Sequence, residues 1–176
     1  TDKDHTAFHM RGLARDAAPF VRMLGDIVCH STFPEDEFER ERQVILQEFA
    51  EDDDDPMSTA FKLYDRACFG DHAAARPVIG SRANIRRLAR AQRVAHVRQQ
   101  YSGANTIVGV AGGVDPDAVF AAAAQAFADL PRDVEHRIAA PDWVGGVRAR
   151  HLSGCSQAHV VMGFPVPPLG GAHAAC

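Results

Sequence analysis

Cysteine is scarce in this chain, with only Cys29, Cys68, Cys155 and Cys176 among 176 residues and no Cys-x-x-Cys pair between them. That is too sparse for a disulfide framework, so the four read as thiols that do not fix a redox compartment. No Lys/Arg block with interleaved aromatics occurs, and the net charge of -4 with a pI near 6.1 argues against a nucleic-acid partner. No window approaches the twenty or so apolar residues of a membrane span, and Thr1 is not followed by a positively charged leader. A soluble chain is therefore expected, with its compartment left open between cytoplasm and periplasm should it be bacterial. The pair Gly112-Gly113 lacks the Gly-x-Gly-x-x-Gly pattern, no Gly-Lys-Ser/Thr follows, and Asp115 would repel a phosphate, so a nucleotide site is not expected.

What the chain does have is apolar content, 46% of its residues, enough to bury a core. It also has an unusual helix. From Phe38 to Phe49 the apolar spacing is helical, yet two carboxylates interrupt the apolar side. At about 100° per residue, Glu41 and Glu48 project within roughly 20° of each other and about 10 Å apart along the axis. Val44 and Ile45 bracket that stripe, Phe38, Leu46 and Phe49 continue the apolar arc, and Glu39, Arg40, Gln43 and Gln47 gather opposite. Arg42 breaks the pattern. Periodicity alone puts both glutamates at the edge of a buried face, reaching water. The sharper reading makes at least one a metal ligand or an acid/base group held over a cavity.

Along the chain, Thr6, Phe8 and Met10 alternate, predicting a strand within 2–14. His5 and His9 then share its other side about 13 Å apart, too far for one ion. Phe20, Val21, Leu24, Ile27 and Val28 predict a helix over 16–30, weakened slightly by Gly25. Ser31, Thr32 and Pro34 ahead of Glu35, Asp36 and Glu37 make a helix-start signature, and the helix should run to about Asp54. Its acidic end, 51–55, reads as a solvated terminus rather than a calcium site. Pro56 marks a restart, with a third helix ending at Gly70. Ser81 can cap a short helix carrying Ile85 and Leu88, and another covers 94–101. Their arginines, Arg82, Arg86, Arg87, Arg90, Arg93 and Arg98, form a cationic patch read as a solvated face or a dock for an acidic domain. Residues 106–111 predict a buried strand, 115–128 a helix, 131–146 a linker and 159–164 an apolar strand. Within the linker, Trp143 reads as a packing residue.

The run 39–48 resembles the distal-glutamate helix of the pitrilysin/insulinase family of zinc metallopeptidases, M16, which includes the mitochondrial processing peptidases. Other stretches agree in the family's order, from Asp4-His5-Thr6-Ala7-Phe8 and Asp54-Asp55-Pro56 to Arg76-Pro77-Val78-Ile79-Gly80-Ser81. Tyr101-Ser102-Gly103-Ala104-Asn105, Gly112-Gly113-Val114-Asp115 and Phe127-Ala128-Asp129-Leu130-Pro131 extend the likeness, which covers roughly 2–165.

The resemblance implies an α+β fold, a mixed or antiparallel sheet packed with helices. It implies residues 1–131 as the later part of the zinc-ligand domain, 132–147 as a linker and 148–176 as the start of a second, non-catalytic domain. In the family, zinc is held by two histidines of a His-x-x-Glu-His helix plus a distal glutamate, and the motif's own glutamate is the base. Only Glu48 carries over as a ligand, with Glu41 matching a carboxylate that orients a ligand histidine, so the chain looks like a middle piece with an incomplete zinc site. Arg132-Asp133-Val134-Glu135-His136 mimics the tail of the motif, but with arginine at the first ligand position. The implied activity is hydrolysis of extended peptides, with a second family domain or subunit as partner in a homodimer or heterodimer. The alternative is a non-catalytic relative or subunit serving assembly and peptide binding.

Overall fold

The computed structural model describes residues 1–132 and 139–167. Six α-helices follow in order: α1 (Ala17–Cys29), α2 (Glu35–Asp54), α3 (Pro56–Phe69), α4 (Arg82–Arg87), α5 (Arg90–Gln100) and α6 (Pro116–Ala126), with 3-10 turns at Ala14–Asp16, Ala73–Ala75 and Gly103–Asn105. Two compact units share the chain, one from residues 1–42 and 86–138 and the other from 43–85 and 139–176.

The expected α+β architecture is not there: no strand forms among the described residues, which are helical or irregular. A strand is defined by pairing its backbone groups with a neighbour, and an alternating or apolar pattern supplies only half of that requirement. Residues 106–111, expected as a buried strand, run without a ladder and leave Ile107 95% exposed. Residues 159–164 do the same, with Val160 and Phe164 exposed. The segment 2–14 begins with a tight turn, the Asp2 amide donating to the His5 carbonyl at 2.8 Å, and exposes Phe8.

The helices fall close to where periodicity puts them, and their ends show why. Asp55 terminates α2 and caps α3, its carboxylate accepting from the Met57 and Ser58 amides at 3.1 and 3.0 Å with Pro56 in the first turn. Asp115 does the same for α6, accepting from the Asp117 amide at 3.0 Å ahead of Pro116. At α5 the Gln92 side chain accepts from the Ala89 amide at 2.8 Å, half of a capping box, because alanine has no hydroxyl to return the bond. Ser81 receives the Asn84 amide at 3.3 Å, and α4 stops at Arg87, short of Leu88.

In the first unit, α1 packs on α6 with Val21, Gly25 and Ala122 buried. The Cys29 thiol faces the Ala126 carbonyl at 3.7 Å, and burial, with Asp129 and Asp26 nearby, pushes it up. His30 reaches Asp129 at 3.1 Å just beyond. The buried Ser102 immediately precedes the 3-10 turn after α5, its hydroxyl 3.1 Å from the Asn105 side-chain oxygen. The Gly103 amide donates to the Pro131 carbonyl at 2.8 Å, joining two of the family-like motifs. In the second unit, Ala67 and Cys68 of α3 are buried, as is Ala75 in the neighbouring 3-10 turn. Gly80 closes the turn begun at Pro77 with φ 84, a left-handed value that suits glycine.

Gly25 is not the weak point that helix propensity suggests. A Cβ there would fall 2.6 Å from the Ala126 methyl and 2.7 Å from the Ala126 carbonyl oxygen, so glycine is what lets α1 and α6 touch. Propensity alone predicts that Gly25→Ala stabilises α1 by about 1 kcal/mol. The packing predicts the opposite sign: overpacking against fixed backbone should destabilise the chain by about 1–3 kcal/mol, read as a lowered urea midpoint. A raised midpoint would show that the α1–α6 approach is looser than drawn.

Candidate metal-ligand helix

The helix α2 is acidic at both ends. Glu35, Asp36 and Glu37 occupy its first turn, where the positive end of the helix dipole favours them, and the Phe38 amide opens the ladder on the Pro34 carbonyl at 2.9 Å. The preceding residue, Phe33, holds a left-handed φ of 47. Arg90 of α5 holds that bend: Nε donates to the Phe33 carbonyl and a terminal nitrogen to the Thr32 carbonyl at 2.7 Å. Arg93 lies over the Phe33 ring, 5.6 Å from its centroid.

Arg42, which spoils the sequence pattern, packs inward. Its guanidinium sits 5.0 Å over the Phe38 ring, donates two 2.9 Å bonds to Glu39 and reaches the Leu88 carbonyl at 2.6 Å. Phe38, Arg42, Ile45 and Phe49, spaced by three and four, are the partly or fully buried positions of one stripe, and Phe49 is 5% exposed beneath Arg82. Glu41 and Glu48 stand about a quarter-turn round from that stripe and are solvent-exposed, as is Val44 between them. Neither glutamate makes an ion pair among the described residues. Both are available carboxylates of the type zinc accepts. No group of three histidine, cysteine or acidic side chains able to hold a metal occurs among the described residues, so Glu48 could be at most one ligand of a site completed by residues from outside them.

Part of the acidic run at the end of α2 is used internally, while Glu51 and Asp54 stay exposed. Asp52 pairs with Lys62 of α3, and Asp53 with Arg82 of α4 at 2.9 Å. The Arg82 guanidinium and, beyond it, Lys62 hold the Asp53 carboxyl below the usual carboxylate range, and the Ser58 and Met57 amides do the same for Asp55. The arginine patch is likewise partly spent within the chain, through Arg82, Arg90 and Arg93, while Arg86 and Arg98 stay exposed. His5 pairs with Asp4 at 2.8 Å, and the His72 ring accepts the Ala74 amide at 3.1 Å to start a 3-10 turn. The zinc-motif mimic at 132–136 lies, apart from Arg132, outside the described residues.

The residues that sequence reasoning missed are Arg42 and Arg90. A faint signal for the first was present, since Arg42 stands three and four residues from Glu39 and Phe38, the spacing at which side chains on a helix meet.

Comparison with known proteins places two family models end to end on the chain: insulinase (peptidase family M16) on residues 1–82 and the peptidase M16 inactive domain on 89–175. A protein named as an uncharacterized zinc protease of Mycobacterium tuberculosis is 32% identical over 98% of this chain and 41% of its own length. Cytochrome b-c1 complex subunit 1 of human mitochondria is 31% identical over 64% of the chain and 24% of its own length. The crystal structure of a peptidase M16 inactive domain from Pseudomonas fluorescens superposes with a TM-score of 0.63 at 25% identity, covering 70% of this chain and 30% of that one. The chain thus spans about two fifths of the length of the zinc proteases it matches.

Two outcomes follow from the charge network. Arg90→Met leaves the Thr32 and Phe33 carbonyls without their guanidinium, and should destabilise the chain by about 1–3 kcal/mol in urea unfolding. An unchanged midpoint would show that the bend holds itself. Because the Asp53 and Asp55 carboxyls are depressed, the folded state binds their protons less readily than the unfolded state. Their contribution is complete above the ordinary carboxylate range and is lost as pH falls below about 4. The urea midpoint should drop over that window, less steeply in Arg82→Gln. Equal slopes would show the Asp53–Arg82 pair to be idle.

Proposed function

This chain belongs to the insulinase (M16) peptidase family, and from that premise we propose that it is the part of a zinc metallopeptidase that supplies the distal glutamate ligand, Glu48. The observation that carries the reading is the match of a zinc protease along nearly the whole chain, α2 included, together with the exposed carboxylate of Glu48 on that helix, which makes no ion pair among the described residues. The substrates are peptides in extended form, and the reaction is hydrolysis of their peptide bonds. Zinc, when bound, lowers the pKa of a coordinated water so that a base can generate hydroxide near neutral pH. Glu48 contributes one anionic oxygen ligand, and its 20-residue helix holds it in place. Glu41, two turns earlier on the same side, orients a ligand histidine by accepting a hydrogen bond from its second ring nitrogen. The two histidines and the base come from the longer protein. The partner is a second family domain or subunit.

A second reading has support of its own. The likeness to a cytochrome b-c1 complex subunit and the inactive-domain match over 89–175 favour a non-catalytic member that keeps the fold for assembly and peptide binding.

Glu48→Gln in the full-length protein separates the two. A ligand role predicts loss of bound zinc and of peptide cleavage with the fold retained, whereas a surface role changes stability by no more than about 0.5 kcal/mol and leaves activity intact. Glu41→Gln should weaken zinc roughly ten- to a hundredfold. Gln43→Ala, exposed on the far side of α2, is the control. The 176-residue chain by itself should hold no stoichiometric zinc after dialysis. Full metal occupancy and turnover in Glu48→Gln would sink the assignment.

A further inference from the structure

The second unit contains a cavity that the peptidase reading does not use. Its floor is the apolar side of α3, including Leu63, Tyr64 and Ala67, and its roof is the irregular stretch 145–162. Both feet of that stretch are tied to α3. The Val144 amide donates to the Cys68 carbonyl at 2.8 Å, and Gly163 passes so close to Tyr64 that a Cβ would fall 2.2 Å from its hydroxyl oxygen. A loop longer than about 15 residues without regular structure is uncommon inside a compact unit and usually has a function. Here it borders a half-open hollow of about 610 Å³, within the size range of sites that take small organic ligands, with Val147, Val160 and Met162 of the roof, like Arg148 and Arg150, exposed to solvent.

Charge narrows the ligand. No aspartate or glutamate lines the cavity, while Arg148, Arg150, His151 and His159 do, and neither arginine has an ion-pair partner among the described residues. A guanidinium fork matches a carboxylate in geometry and charge, and an apolar floor matches a hydrocarbon body. We infer that this cavity binds a small amphipathic carboxylate of the medium-chain fatty-acid type, its head on Arg148 and Arg150 and its chain along α3. The inference is independent of zinc and of Glu48.

Trp143 lines the cavity and is the only tryptophan of the chain, so its fluorescence reports occupancy directly. Decanoate, titrated below its micelle concentration, should give a saturable change that 1-decanol at the same concentrations does not. Arg148→Gln with Arg150→Gln should weaken decanoate at least about tenfold while leaving the urea midpoint in place. If the double variant fails to fold, each single variant should show a smaller weakening in the same direction. The inference is overturned if decanoate gives no saturable change, if decanol matches it, or if the folded variants bind as the parent does. It is also overturned if an apolar peptide with a free C-terminal carboxylate saturates the signal while decanoate does not, which would make the cavity a peptide site.

Discussion

The capture of two backbone carbonyls by Arg90 sets the direction in which α2 leaves the chain. Phe33 adopts a left-handed backbone without being glycine, a conformation that costs on the order of 1–3 kcal/mol. Charge-assisted hydrogen bonds to the Thr32 and Phe33 carbonyls are each of about the same size, and Arg93 on the Phe33 ring adds a little more. The sum is enough to hold the bend. The turn from which α2 starts is therefore fixed by a contact made by a different helix.

A second arginine repeats the device further along. Arg42 reaches the Leu88 carbonyl and covers the Phe38 ring, anchoring the inward stripe of α2 on its own side of the helix. Charges on α2 therefore divide by role. Glu39, Asp52 and Asp53 are consumed in pairs with Arg42, Lys62 and Arg82, and Asp55, just past its end, in capping α3. Glu41 and Glu48 are left to solvent on one side, and a carboxylate that is not already bound to an internal cation can give its oxygens to a metal ion without first breaking a pair.

Much of the helical skeleton was legible because its signals are local. Pro56 and Pro116 in first turns, Asp55 and Asp115 ahead of them, and the acidic first turn of α2 act within four residues of themselves, so the sequence order contains the whole interaction. Extended segments were not legible in the same way. The apolar run 106–111 has the composition of a buried strand, but a strand needs a partner ladder and a covering layer, and among the described residues it has neither. Gly25 misled for the complementary reason: propensity describes an isolated helix, and the demand for glycine comes from Ala126 of another one.

By itself the sequence determined the helices to within a few residues, the Ser81 cap, the net acidity, the family, and the presence of two glutamates seven residues apart on one helix. All of these follow from composition, from spacing along one element, or from the order of motifs. Tertiary structure decided which side of α2 is buried, that Arg42 belongs to it, and that part of the acidic tail is spent on Lys62 and Arg82. It also decided that residues 145–162 arch over α3 without pairing as a strand. Each of those outcomes turns on contacts between residues far apart in the chain, whose geometry no local periodicity encodes.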